Sequence, residues 1–280
     1  MYLVVSALQA GMKNGGYFMP KNPITGRGGV AKPTGSVTSI ELVDNRITDT
    51  KYGYLSGYKR PRSVADQVSN LVKFFPELRS ADERLIEQPL PPNAEGWFAI
   101  PRRKKIASNY VEAVKRVFDL IAISRNGKFK NCCEDKMDKQ YFRQLDRTKD
   151  IFQRIGCEQK DHDILLIPGQ FGILYRGNPV HRTLKGMDSS EYPFDTFTTA
   201  IMLFNHPERL NHYEDLWIDC GGDELASTVV GVLPKAPCFR SLNGRVEYAM
   251  YPVGAACDIR GSASGFLLQS SSNVAMQIAS

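Results

Sequence analysis

Asn243-Gly244, set between an apolar run ending at Leu242 and another beginning at Val246, constrains the fold more than any other pair in the chain. Both residues tolerate positive φ, so the pair marks a two-residue β-hairpin, and a hairpin makes its two strands antiparallel. Further strand-like runs punctuate the same half: Ile164 to Ile167, Phe171 to Tyr175, Leu216 to Cys220 and Val229 to Leu233. The helical signals lie mostly upstream. Ser63 can cap a helix whose apolar positions are Val64, Val68, Leu71, Val72 and Phe75, stopped by Pro76. Ser108 or Asn109 caps a second, with Val111, Val114, Val117, Phe118, Ile121 and Ala122 on one face and Asn126-Gly127 as its stop. A third is predicted from Asp135 to Ile155, closed by Gly156, and a fourth from Phe194 or Asp195 to Phe204.

With no internal repeat and no βαβ alternation, this order gives an α+β fold: a β-rich N-terminal part, a helical middle and a mixed C-terminal half with antiparallel hairpins. Residues 11–36, rich in Gly, Pro, Lys and Asn, read as a long loop, and Ser36 to Val43 with the Asp44-Asn45 turn as a hairpin. Pro89-Leu-Pro-Pro92 cannot continue a helix and sets the expected boundary between a region 1–92 and a region 93–280. The end from Gly261 to Ser280 reads as a flexible, Ser-rich segment, and Gly261-Ser-Ala-Ser-Gly265 carries Ala263 where a nucleophile elbow needs Ser. Gly26-Arg-Gly28-Gly-Val-Ala31 has the letters of a dinucleotide turn but no preceding strand.

No apolar run approaches membrane-spanning length and no basic leader opens the chain, so a soluble, cytoplasmic protein with no membrane partner is expected. The six Cys contain no CxxC pair, which fits a reducing compartment better than a disulfide scaffold.

Charge is unevenly distributed. Residues 101–160 carry 16 Lys and Arg against 8 Asp and Glu, whereas 161–225 carry 4 against 11. The first block predicts a nucleic-acid contact through a basic helical surface formed by Arg102, Arg103, Lys104, Lys105, Lys128, Lys130, Arg143 and Arg147, with aromatic residues beside it. The second holds the densest chemistry in the chain, from His206 to Glu224. There His206, His212 and Cys220 offer imidazole and thiolate ligands for a divalent metal such as zinc, and Asp219, Asp223 and Glu224 are the candidate catalytic carboxylates of a metal-assisted hydrolase or nuclease. A third reading, a structural or protein-interaction module, follows if the two blocks neutralise one another.

Tyr175-Arg176-Gly177 resembles the first-strand ending of some ADP-ribosyltransferases, but neither the Ser-Thr-Ser strand nor the Glu-x-Glu loop that completes that site follows it. Ala94-Glu-Gly-Trp-Phe-Ala-Ile-Pro101, His206-Pro-Glu-Arg-Leu210, Asp215 to Glu224 and Gly261-Ser-Ala-Ser-Gly-Phe266 resemble an uncharacterised group of bacterial proteins, with the similarity running from about residue 50 onward. The resemblance implies a bacterial, intracellular origin and carries no activity.

Overall fold

A computed structural model of the chain describes residues 54–138, 141–225 and 234–268. The expected loop at 11–36, the hairpin at Asp44-Asn45, the strand at 229–233 and the end from 269 lie outside these residues. By compactness the chain divides into Met1–Asp44 and Asn45–Ser280, and everything described belongs to the second unit. Pro89-Leu-Pro-Pro92 is therefore internal to that unit.

The described residues form an α+β fold. The helices are α1 (Val64–Phe74), α2 (Arg103–Ile106), α3 (Tyr110–Ser124), α4 (Asp146–Glu158), α5 (Val180–Gly186) and α6 (Thr196–Asn205). The strands are β1 (Gly96–Pro101), β2 (Phe129–Asn131), β3 (Phe142–Gln144), β4 (Ile164–Gln170), β5 (Glu191–Pro193), β6 (Trp217–Asp219), β7 (Asp223–Leu225), β8 (Lys235–Leu242), β9 (Arg245–Pro252), β10 (Arg260–Ser262) and β11 (Ser264–Phe266). One sheet has the order β1-β4-β11-β5 and is antiparallel at every pairing. In the other, β8 carries β9 on one edge and both β6 and β7 on the opposite edge; β10 and β2 add in parallel to β6 and β9, and β3 adds to β7. No helix among the described residues is long and apolar enough to cross a membrane.

Capping residues set the helix starts as the sequence predicts. Ser63 Oγ accepts from Asp66 N–H (3.1 Å), Asn109 Oδ1 from Glu112 N–H (3.0 Å) and Asp195 Oδ1 from Thr198 N–H (2.7 Å). Each satisfies a backbone donor that the helix leaves unpaired. Ser63→Ala is expected to lower stability by about 1 kcal/mol, read from the urea midpoint at unchanged m-value. Asn126 (φ 52°) and Gly127 (φ 77°) close α3, and Asn243 (φ 53°) with Gly244 (φ 71°) make the tight β8–β9 turn.

All ten residues of α6 are buried, consistent with a helix apolar on every side of its body. It packs against α3, β1 and α1. On the far side of α3, Phe118 meets Phe129, Phe239 and Tyr248, with centroids 4.7 to 5.8 Å apart, which places α3 on the apolar face of the larger sheet. A single core cluster spans both sheets and these helices.

Three expectations are corrected. Residues 135–155 are not one helix: β3 intervenes, so the irregular apolar spacing there belongs to a strand and a helix in succession. Gly156 lies inside α4, where the missing side chain leaves room for Arg102 Nη1, which an added Cβ would meet at 2.9 Å. Phe171 to Tyr175 is not a strand, because Gly172 (φ 114°) turns the chain into a 3₁₀ turn, Ile173–Tyr175, and Arg176 is set by a bond from its Nε to Asp258 O (3.0 Å). Gly261–Gly265 is no flexible turn. It is the passage from β10 to β11, where a Cβ on Gly261 would lie 2.1 Å from Gly172 O.

Candidate functional site

The metal ligands read from the sequence are not brought together. His206 is wholly buried at the end of α6, its Nδ1–H donating to Met202 O (2.7 Å) and its Nε2 accepting from Arg62 N–H (3.0 Å). Both ring nitrogens are thus committed, and burial lowers its pKa to about 4. His212 is exposed and stacks on Tyr213, whereas Cys220 is buried and its thiol is pushed well above the usual range by desolvation. Among the described residues no group of three His, Cys, Asp or Glu side chains is placed to hold a metal ion.

The candidate catalytic carboxylates also separate. Glu224 is on the surface of β7, bonded to its cross-strand partner Arg143 (2.6 Å). Asp219, on β6, faces Arg260 on β10, with Nη1 to Oδ1 at 3.6 Å, and burial raises its pKa to about 6 against the pull of that cation. Asp223 turns instead to the start of α6. Its Oδ2 accepts from Thr196 N–H (2.7 Å) and Tyr110 O–H (2.6 Å).

There Asp223 meets a partner that sequence reading placed only at the start of a helix. Asp195 holds the same helix end, and its Oδ2 accepts from Gln144 Nε2. Both carboxyls are fully buried and both pKa values are raised, by desolvation first, and for Asp223 next by the neighbouring Asp195 charge. Two buried anions at one helix N-terminus are favoured by its dipole and by four donors, but each opposes ionisation of the other. Gly222 makes this approach possible: a Cβ there would sit 2.8 Å from the backbone of Phe194 and Asp195.

The eight basic residues expected to bind nucleic acid do not form one helical surface. Arg102 caps carbonyls at the end of α4, bonding Gly156 O (2.8 Å), Gln159 O (2.5 Å) and His162 O (2.5 Å). Lys105 pairs with Asp163 (3.0 Å), Arg143 with Glu224, and Arg147 bonds the backbone of Asp188 and Glu191. Arg103 and Lys104 lie on α2, remote in sequence from the exposed Lys128 and Lys130 beside and on β2. These residues sit on strands, turns and short helices, and half of them hold the fold.

Lys128 has different neighbours. It lines a cleft of about 490 Å³ between the end of α3, the loop after α6 and the β8–β9 turn, together with Arg62, Arg125 and Arg245, and with Glu208 as the one carboxylate. Glu208 is bonded to Arg62 (2.7 Å), and Arg245 to Glu247, two residues along the same strand (2.9 Å). Arg125 is the buried member, at 8 % exposure. Its Nη1 donates to Asn211 Oδ1 (3.1 Å) and its Nη2 to Arg209 O (2.7 Å), while its Nε has no partner among the described residues. Desolvation, then repulsion from Arg209, lowers its pKa to about 10, so it stays charged at neutral pH with its charge incompletely compensated. Arg62 also borders an adjoining groove lined by Asp66, Ser69, Asn70 and Lys73 of α1. Sequence reading reached Lys128 but missed Arg62 and Arg245, since only folding brings these three segments together.

Comparisons with protein-family models, curated proteins and solved structures returned no match, so the functional reading rests on this geometry.

Proposed function

We propose that the chain binds the phosphate backbone of nucleic acid in the cleft formed by Arg62, Arg125, Lys128 and Arg245. The observation that carries this reading is the convergence of four cations against one carboxylate, one of the cations buried and short of partners. A buried guanidinium in that state gains from an anion, and phosphate contacts supply most sequence-independent affinity for nucleic acid. The second groove, which shares Arg62 and adds Lys73, continues the site along α1. A continuous track suits a chain of phosphates better than an isolated one.

The test is fluorescence anisotropy with a labelled single strand of about 20 nucleotides, long enough to cover both grooves. With three net positive charges engaged, affinity should fall roughly 15-fold between about 50 and 200 mM salt. Lys128→Glu, on an exposed turn, should weaken binding at least as strongly while leaving the melting temperature unchanged. Absence of binding at the lowest salt, or binding indifferent both to salt and to Lys128→Glu, overturns the proposal.

A further inference from the structure

The cleft at the end of α3 holds more positive charge than a passing phosphodiester uses. Arg62 is matched by Glu208, and Arg245 shares Glu247 with Arg240, which bonds it at 2.8 Å. Arg125 and Lys128 make no ion pair among the described residues. Arg125 bonds the neutral amide of Asn211 and the carbonyl of Arg209, and Lys128 is exposed on the turn that follows the helix. Arg125 is also the C-cap of α3, so part of this charge offsets the carbonyl end of the helix. A helix end carries roughly half a unit charge, which leaves about one and a half of the two, before Arg245 is counted. A phosphodiester brings one negative charge, whereas a phosphomonoester brings about 1.5 to 2 at neutral pH. The monoester is the better match.

The lining points the same way. None of the described residues around the cleft or the adjoining groove is aromatic, so a base drawn inside would leave its stacked neighbours and find no ring in exchange. A terminal phosphate lies beyond the last sugar and enters alone. Asn126 and Ser241 also line the cleft and can donate to phosphate oxygens beside the two cations. Arg62 joins this space to the groove along α1, whose Lys73 is placed to meet the phosphates that follow.

We infer that the cleft recognises a terminal phosphomonoester, its dianion held between Arg125 and Lys128. The inference rests on the proposed function and names the part of the nucleic acid that is seated there: the phosphorylated end of a strand, with the rest of the strand running out along α1. A free nucleotide carries the same group, so the experiment separates the two sources.

The experiment uses the whole chain in two arms. The first is anisotropy at one salt concentration with oligo-dT in three forms, each labelled at the opposite end: unphosphorylated, phosphorylated at the 5′ or the 3′ end, and phosphorylated with that phosphate capped as its methyl ester, a monoanion. The phosphorylated strand is expected to bind about tenfold tighter than the unphosphorylated one, the equivalent of one further charge-assisted hydrogen bond. The methyl ester should return to the unphosphorylated affinity, because it keeps the phosphorus and loses the second charge. Lys128→Gln, on the exposed turn, should remove most of the difference. Equal binding of the three forms overturns the inference, and binding that still falls with salt leaves the backbone reading in place. The second arm is thermal shift with thymidine 5′-monophosphate against thymidine. A shift with the nucleotide alone, without binding of any strand, upholds the phosphomonoester site and overturns the nucleic-acid reading.

Discussion

Arg209→Ala is expected to cost about 3–5 kcal/mol of folding free energy, the penalty for breaking a buried charge pair from one side. Arg209 is fully buried, bonded through Nη1 to the equally buried Asp215 and through Nη2 to Leu216 O (2.7 Å). Its guanidinium lies 3.9 Å from the Tyr54 ring centroid and 5.6 Å from that of Phe171. Removal leaves a cavity and a buried anion, although Asp215 keeps backbone donors from Leu55 (3.1 Å), Leu210 (3.0 Å) and Leu216 (3.1 Å). Those three N–H groups are why the loss should stop short of abolishing the fold. Arg209→Lys should recover little, because an ammonium cannot serve the carboxylate, the carbonyl and the ring at once. Urea midpoints of the three proteins decide the matter; a loss under 1 kcal/mol for the Ala variant would show that Arg209 is solvated in solution.

The second large effect concerns pH. Asp195 and Asp223 are both held above the usual carboxylate pKa by burial, and Glu95 likewise. A raised carboxylate means that the folded chain keeps a proton the unfolded chain has lost, so stability falls as pH rises through the window. For Asp219, raised from 3.8 to about 6, that loss amounts to about 3 kcal/mol. His206 works the other way. Its pKa drops from 6.5 to about 4, so stability rises with pH across that interval by a similar amount, about 3 kcal/mol. The two nearly cancel between pH 4 and 6, which leaves the other raised carboxyls, Asp195, Asp223 and Glu95, to set the slope: stability should fall as pH rises through their folded-state pKa values. Asp223→Asn keeps an oxygen for Thr196 N–H and Tyr110 O–H but removes the charge, and should gain about 1–3 kcal/mol at pH 8 while flattening the slope. Thermal melts of both proteins from pH 5 to 9 test this, and an Asn variant less stable than the parent at pH 8 would show that the pair ionises at little cost.

Local chemistry made part of the fold legible. Ser63, Asn109 and Asp195 announce helix starts because a cap acts within three residues of itself, and Asn243-Gly244 announces its turn because positive φ is a property of those two residues. β3, β7, β10 and β11 were not legible, since each is three residues long and exists through partners distant in sequence. Ser and Gly in β10 and β11 read as loop until the neighbouring strands are known. The candidate sites failed in the same way. Asp219 and Asp223 are four residues apart, yet the Gly221-Gly222 turn sends one toward Arg260 and the other toward α6. Lys128 was visible as a charge, whereas its convergence with Arg62 and Arg245 is a tertiary fact.

The passage from β10 to β11 has a bearing on how the unit is made. Arg260–Ser262 extends one sheet, and two residues after it Ser264–Phe266 lies between β4 and β5 of the other. The strand synthesised after all the other described strands is therefore interior to a sheet whose remaining members emerged long before it. Until it arrives, β4 and β5 have no common neighbour and the edge of β4 stands open, so a growing chain cannot finish either sheet early and needs protection from pairing with its own copies. Nascent chains halted before Arg260 should be protease-sensitive throughout, and resistance should appear in one step once Phe266 is clear of the ribosome.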